Sequence, residues 1–552
     1  MTAIGRSPVQ PRPVILAGRT SLPTARRTPW SLAVAGLLIA GLAMLPIVYL
    51  MIRAAGVDPD GLGTLLRPRT ATVVLGTLAL GAVVGAGSIA IGVPVAWLTT
   101  RTDLPGRRAW AILTTIPLAL PSYVVGFAFL AFLGPRGTLQ GLLAPFGVER
   151  LPSIGGLFGA ALVLTLVSFP YVSLATRAAL LRLDPAVEES ARLLGDGRLP
   201  VFRRVTIPVL VPAIAAGTLL AMLYALSDFG AVSLLQFDSL SRAIFLQYGA
   251  SFDRSVAAVL ALVLVGMTVL LSLGEGRLRR RAGSYVQPSR RRPPSTVPLG
   301  TWRWPAITFL SAVVGLALVL PAGTVLWWLM RGMLDGEPLR LVVGIAAQTM
   351  VVGVLAATLA VVLAVPVAVL GARYPSRLAS AIAAAVDAGY ALPGIVVALA
   401  MVFLATRTLP FLYQTIALLV AVYAVRFIAQ AMGGLRASVA AVGARFEEVG
   451  RTLGDSPVRA FAHLTVPAVR PALVAGAALV FLTVVKELPL ALLLGPIGFE
   501  TLATEVWDAA SSGFYARAAV PAAMLLLLSM ATVGLLLRAE DVKDVEYVGS
   551  RT

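Results

Sequence analysis

The sequence has no cysteine, a single histidine and almost no lysine, and only 13% of its residues are charged. Each scarcity closes a class of function. Without thiols the chain holds neither a disulfide nor a thiolate metal site. One histidine, His463, leaves no His/Cys/Asp set for nucleophilic or acid–base chemistry, so no catalytic residue and no metal ligand is assigned. No G-x-x-x-x-G-K-[S/T] loop is present to cradle phosphates, so nucleotide hydrolysis is not expected of this chain. The shortage of charge decides the class of protein. With 58% hydrophobic residues and a mean hydropathy of +0.89, a 552-residue chain has too little polar surface to cover soluble domains.

Apolar runs fill the sequence instead. Many reach about 20 residues, enough to cross roughly 30 Å of hydrocarbon as a helix; Trp30–Ile52 and Ala71–Thr99 are two. They lack the alternation of a barrel strand, and only helices or closed barrels satisfy every backbone group in lipid. The expected fold is therefore all-α and polytopic, with about twelve transmembrane helices. The first six fall near 30–53, 71–99, 109–134, 154–181, 208–235 and 254–274. The second six fall near 304–331, 344–371, 378–406, 411–435, 467–496 and 516–538. The first run is too long for a signal-peptide core of about 7–15 residues and reads as a retained span.

A formal charge of +19 suggests nucleic acid until the positions are read. With the N-terminus placed inside, 32 of the 45 basic residues fall in inside segments and 11 in outside ones. That asymmetry follows the positive-inside rule, puts both termini in the cytoplasm, and leaves no role for nucleic acid. The chain then divides into an N-tail (1–29), a six-helix domain (30–274), a basic Pro-containing linker (275–303), a second six-helix domain (304–538) and a C-tail (539–552).

The two domains repeat each other. An offset of 259 pairs Glu189 with Glu448, Arg192 with Arg451, Gly195 with Gly454, Pro208 with Pro467, Pro212 with Pro471 and Asp228 with Glu487. Upstream, an offset of 272 pairs Pro94 with Pro366, Arg101 with Arg373 and Pro121 with Pro393. Six spans per repeat give both the same orientation in the membrane, a parallel pseudo-dimer.

Between the fourth and fifth span of each repeat lies a matched polar segment. The first reads Glu189-Ser190-Ala191-x-x-x-Gly195, nine residues, then Val205-Thr206-Ile207-Pro208; the second reads Glu448-Val449-Gly450-x-x-x-Gly454, nine residues, then Leu464-Thr465-Val466-Pro467. Acidic residues near the start of a short helix suit its dipole. A glycine can end it with φ > 0, and the prolines suit the first turn of the next span. The pattern resembles the EAA loop (E-A-A-x3-G-x9-I-x-L-P) of ABC importer permeases, and the likeness extends over the chain through its duplicated twelve-span plan. Departures are Ser190 and Val449 at the second position and Gly450 at the third.

The resemblance implies coupling helices that seat in clefts of two copies of a separate ATPase subunit. Glu188, Glu189, Ala191, Gly195 and Pro208, with Glu447, Glu448, Gly450, Gly454 and Pro467, then form the coupling elements. Leu193, Leu194, Leu453 and Phe446 supply apolar anchors, and Glu189 and Glu448 pair with basic groups of the ATPase. ATP and Mg²⁺ belong to that partner, with no cofactor in this chain. An extracytoplasmic substrate-binding protein delivers the solute, and the location is the bacterial inner membrane.

Charges within spans default to functional candidates. Asp228, in Ser-Asp-Phe-Gly, and Lys486 with Glu487, in Lys-Glu-Leu-Pro, mark a candidate substrate path. That pair of motifs looks like the ferric-iron branch of these permeases, often fused double-length chains; thiamine, sulfate, polyamine and phosphonate importers share the superfamily. An equal reading makes Glu487 half of a structural ion pair with Lys486 or Arg426. A secondary transporter using Asp228, Glu487 or Asp387 as ion carriers is the rival from another class. Pro121 and Pro393 are expected to bend the third spans.

Overall fold

The computed structural model describes residues 28–57, 63, 67–135, 137–250, 255–284, 296–334, 336, 339–443 and 445–549. Most of the expected N-tail, the linker arginines Arg290–Arg292 and the last three residues lie outside that set. The described residues are helical with no β-sheet. They contain 11 helices long and apolar enough to cross a membrane, or 12 when one sharply bent pair counts as a span. The first repeat is α1 (Trp30–Ala55), α2 (Pro68–Arg101), α3 (Ser122–Leu133), α4 (Leu157–Arg182), α5 (Ile207–Ser227) and α6 (Ser255–Ser284). The second is α7 (Gly300–Leu334), α8 (Leu339–Arg373), α9 (Gly394–Thr408), α10 (Ile416–Val442), α11 (Val466–Val485) and α12 (Tyr515–Gly549). Helix α6 runs ten residues past the expected 274, and α12 continues past 538.

The third spans are broken, not bent. In the second repeat Arg377–Ala391 and α9 meet at 101°. In the first, Arg107–Leu113 and a 3₁₀ turn, Ile116–Ala119, precede α3. The cause is local: a proline forces the residue before it out of the helical region. Leu120 and Leu392 each take ψ 137° ahead of Pro121 and Pro393. The fifth spans also end early, at Ser227 and Val485, and short helices Gly230–Leu234 and Pro489–Leu494 follow where continuous spans to 235 and 496 were expected.

Pro208 and Pro467 stand in the first turn of α5 and α11, each reached through a preceding short helix. The join is continuous helix, through a π turn at Phe202–Thr206 or Phe461–Thr465. A proline inside a helix clashes with the carbonyl four residues back, and a π turn widens the ladder at that point.

The two repeats exchange their first spans. Ile39, Ala40, Ala43 and Leu50 of α1 share a core with Ala356, Leu370, Ile382 and Phe403 of the second repeat. In return Ala306, Leu310, Val313 and Ala317 of α7 enter the core of the first, beside Leu80, Val84 and Phe169. Small residues permit the crossing: at Gly389 a Cβ would lie 2.8 Å from the Ala43 carbonyl oxygen. Tyr49 Oη closes the contact by donating to the Phe403 carbonyl at 3.0 Å.

Candidate functional site

Two constellations stand out, and each occurs twice. The first is the loop between the fourth and fifth span. In the first repeat Asp184 caps the helix Pro185–Leu193, accepting from the Ala186 N–H, and Gly195 ends it at φ +97°. In the second the helix Arg445–Thr452 ends at Gly454 with φ +101°, a left-handed position that favours glycine. Ser456 then caps the next short helix through the Arg459 N–H.

Each loop is pinned to its own repeat by an acid, and it is the acid before the motif glutamate. Glu188 is buried and accepts from Arg101 Nη2 and, at 2.9 Å, from Thr206 Oγ1. Glu447 lies 3.1 Å from Arg373 Nη2 and accepts from Thr465 Oγ1 at 2.6 Å. The clamp therefore joins the end of the second span, the loop helix and the π turn in both repeats, by a hydrogen-bonded ion pair in the first and by an ion pair without that hydrogen bond in the second. Adjacent helix residues project about 100° apart at 3.6 residues per turn, so Glu189 and Glu448 face outward and are exposed. Val205-Thr206 and Leu464-Thr465 stood in register in the sequence, as did Arg101 and Arg373. Only the fold reveals that they share one carboxylate.

The loop tips are apolar and bare. Leu193 and Leu194 are each 89% exposed and Leu453 is 83% exposed; Phe446 and Val449 are also exposed. Gly450, by contrast, faces its own loop: a Cβ there would sit 2.8 Å from Leu464 Cδ1. Its smallness serves internal packing: Gly450 is buried, while Ala191 in the first loop is half-buried. Pro208 and Pro467 lie two residues beyond the π turns, in the first turn of α5 and α11. His463 is exposed, with Nδ1 3.8 Å from Asp455 Oδ2, a solvated loop position.

The second constellation lies where the broken spans meet. Asp228 ends α5, and its carboxylate accepts from the Ala231 N–H at 2.9 Å, the Val232 N–H at 3.4 Å and the Ser122 hydroxyl. A broken helix in lipid leaves backbone donors that need partners, and Asp228 supplies the cap. In the second repeat Gly394 stands where Ser122 stands in the first, and a Cβ there would lie 2.6 Å from Arg426 Nη1. The space admits Arg426, which donates to Glu487 Oε1 at 2.7 Å and to the Leu392 carbonyl at 3.2 Å. Of the two partners weighed for Glu487, the ion pair is with Arg426. Lys486 reaches across the repeats instead, donating to the Leu118 carbonyl at 3.2 Å. Asp387 is not part of this cluster; it lies on the Arg377–Ala391 helix. Phe229 and Phe245 pack against Trp507 of the other repeat, with centroids 6.0 and 5.9 Å away.

No cluster of three or more metal-ligating side chains occurs among the described residues.

The duplication and the loops have counterparts in known proteins. Residues 88–283 and 360–539 each match the family described as binding-protein-dependent transport system inner membrane component. The chain is 32% identical over 516 residues to the Fe(3+)-transport system permease protein FbpB 2 of Haemophilus influenzae, covering 93% of this chain and 98% of that protein. A probable molybdenum ABC transporter permease of Haloferax volcanii is 34% identical over 42% of this chain and 85% of its own length. The sulfate transport system permease protein CysT of Salmonella typhimurium is 31% identical over 35% of this chain and 71% of its own. Relatives of single length thus align to about one repeat, and a double-length relative to both. Two family matches in register, on a fold of two interlocked six-span repeats, place this multi-pass membrane protein in the binding-protein-dependent transport system inner membrane component family, as an ABC importer permease.

Proposed function

We propose that this permease imports ferric iron, driven by two copies of a separate ATPase subunit seated on the loops at 184–207 and 443–466. One observation carries the coupling assignment: each loop is anchored inward by an acid, buried in the first repeat and half-buried in the second, while the loop tips present exposed leucines to solvent. Apolar surface concentrated at a polar loop marks a docking contact. Glu189 and Glu448 stand beside those tips and offer charge to basic groups of the ATPase. ATP and Mg²⁺ are held by that partner, and both termini, with the loops, lie in the cytoplasm. An extracytoplasmic binding protein delivers the ion to the end opposite the loops.

Iron is favoured because the double-length relative, matched almost end to end, is named for Fe(3+). The intramembrane carboxylates are engaged in helix capping and an ion pair, so selectivity rests mainly with the binding protein. ATP binding draws the ATPase pair together, the loops move with it, and the two repeats rock to open outward; hydrolysis restores the inward state.

The test is uptake of radiolabelled ferric iron into proteoliposomes holding the permease, its ATPase and its binding protein, with molybdate and sulfate run in parallel. ATP-dependent iron uptake is expected, lost in the Gly195→Pro, Gly454→Pro double variant at normal membrane level. Uptake of an oxyanion instead overturns the substrate. Normal uptake by the double variant overturns the coupling role.

A further inference from the structure

Two cavities sit side by side at the loop-bearing end of the first repeat. The larger, about 740 Å³, is walled by apolar side chains of α2, α4, α5 and α7, among them Leu180, Leu210 and Phe309. It opens outward between spans: Pro94 and Pro305 on its wall are exposed, and Trp302 at its rim is 72% exposed. Indole rings in such positions mark the boundary between hydrocarbon and water. The smaller cavity, about 300 Å³, holds Arg101, Arg192 and Glu188. Trp97 and Phe202 line both, so an apolar chamber and a charged one share a wall.

Arg101 is the member that needs explaining. It is 1% exposed, its Nη2 is committed to Glu188, and its Nη1 has no hydrogen-bond partner. A buried donor left unmet carries a desolvation penalty, and a charged one carries more. Arg192 adds a second positive charge to the same chamber, against the single negative charge of Glu188.

We propose that the paired cavities bind one anionic phospholipid of the leaflet on the loop side. Its phosphate sits on Arg101 and Arg192 and one acyl chain fills the apolar chamber. Basic pockets between spans, beside the membrane surface, are suited to acidic headgroups. Because Arg101 also holds Glu188, the lipid phosphate touches the anchor of the first loop. Lipid composition thereby reaches the element proposed to receive the ATPase.

The experiment uses the purified full-length chain without partners, so it is independent of substrate and of coupling. After delipidation the protein is offered phosphatidylglycerol, phosphatidylcholine or inorganic phosphate, and bound lipid is counted by native mass spectrometry. Wild type is expected to retain phosphatidylglycerol about fivefold over phosphatidylcholine, the preference one basic side chain supplies near an anionic surface. Ala306→Trp, which fills the apolar chamber, and Arg192→Glu, on an exposed side chain, should each bring the two lipids to parity. Unchanged preference in the soundly folded Arg192→Glu protein overturns the proposal. Inorganic phosphate displacing the lipid at equal headgroup concentration overturns it too, since the site would then hold a free anion.

Discussion

The two repeats agree at their loops and disagree at their broken spans. Arg101, Glu188 and Thr206 are matched group for group by Arg373, Glu447 and Thr465. At the breaks, one repeat uses a neutral serine and an aspartate as a helix cap. The other uses glycine to admit an arginine that neutralises a glutamate. The loops meet surfaces of one kind, so duplicated chemistry remains serviceable at both. The breaks meet each other across the middle of the molecule, where two identical charges would repel. Divergence there gives Lys486 a carbonyl of the opposite repeat to hold.

That contrast can be tested in order of expected effect. Glu487→Leu strands the half-buried Arg426 guanidinium among the membrane spans, where no bulk water can take up its charge, and losing one partner of such a pair costs about 3–5 kcal/mol. Thermal unfolding in detergent should show the largest fall in this variant, recovered in large part by adding Arg426→Met. Absence of recovery would mean the charges have a use beyond each other. Glu188→Ala comes next. Arg101 and Glu188 side chains are 2% and 6% exposed, whereas Arg373 and Glu447 are 8% and 26% exposed. Breaking the first clamp should therefore cost about 3 kcal/mol and breaking the second about 1.5–2 kcal/mol. Equal losses would deny that burial sets the difference. Ser122→Ala removes one neutral donor from Asp228 and should cost about 1 kcal/mol. Leu194→Ser with Leu453→Ser should leave stability within about 0.5 kcal/mol while lowering affinity for the ATPase in a pull-down. A stability loss larger than that would make the leucines packing residues.

Much of this architecture was legible in the residues. Runs such as Ala71–Thr99 announced spans, and the paired glycines and prolines announced the repeat and its loops. The breaks were not legible because a proline in an apolar run is compatible with a bend or a stop, and the choice depends on what receives the freed backbone groups. At the end of α5 that receiver is Asp228, which takes the Ala231 and Val232 N–H groups and also the hydroxyl of Ser122, over a hundred residues away. The clamps were half visible: Arg101 and Arg373 kept register, but nothing in the sequence named their partner, and the glutamates given a pairing role, Glu189 and Glu448, were assigned to the ATPase. Neighbouring glutamates on one helix turn differ only in the side they face, and the side is set by the body the helix lies against. The exchange of first spans left no trace in periodicity, since small residues such as Gly36 and Ala43 suit contact with any helix.

That exchange governs how the molecule can be made. Helix α1 leaves the ribosome first, yet the partners that bury Gly36 and Ala43, Leu370, Ile382 and Gly389, are synthesised only after the whole first repeat. Until then its small-residue face must wait in lipid. Once α8 and the Arg377–Ala391 helix arrive, each repeat holds a strand of the other's fabric, like two clasped hands. The clasp joins the repeats, and a chain halted midway would leave the face of the first helix that meets Leu370, Ile382 and Gly389 uncovered.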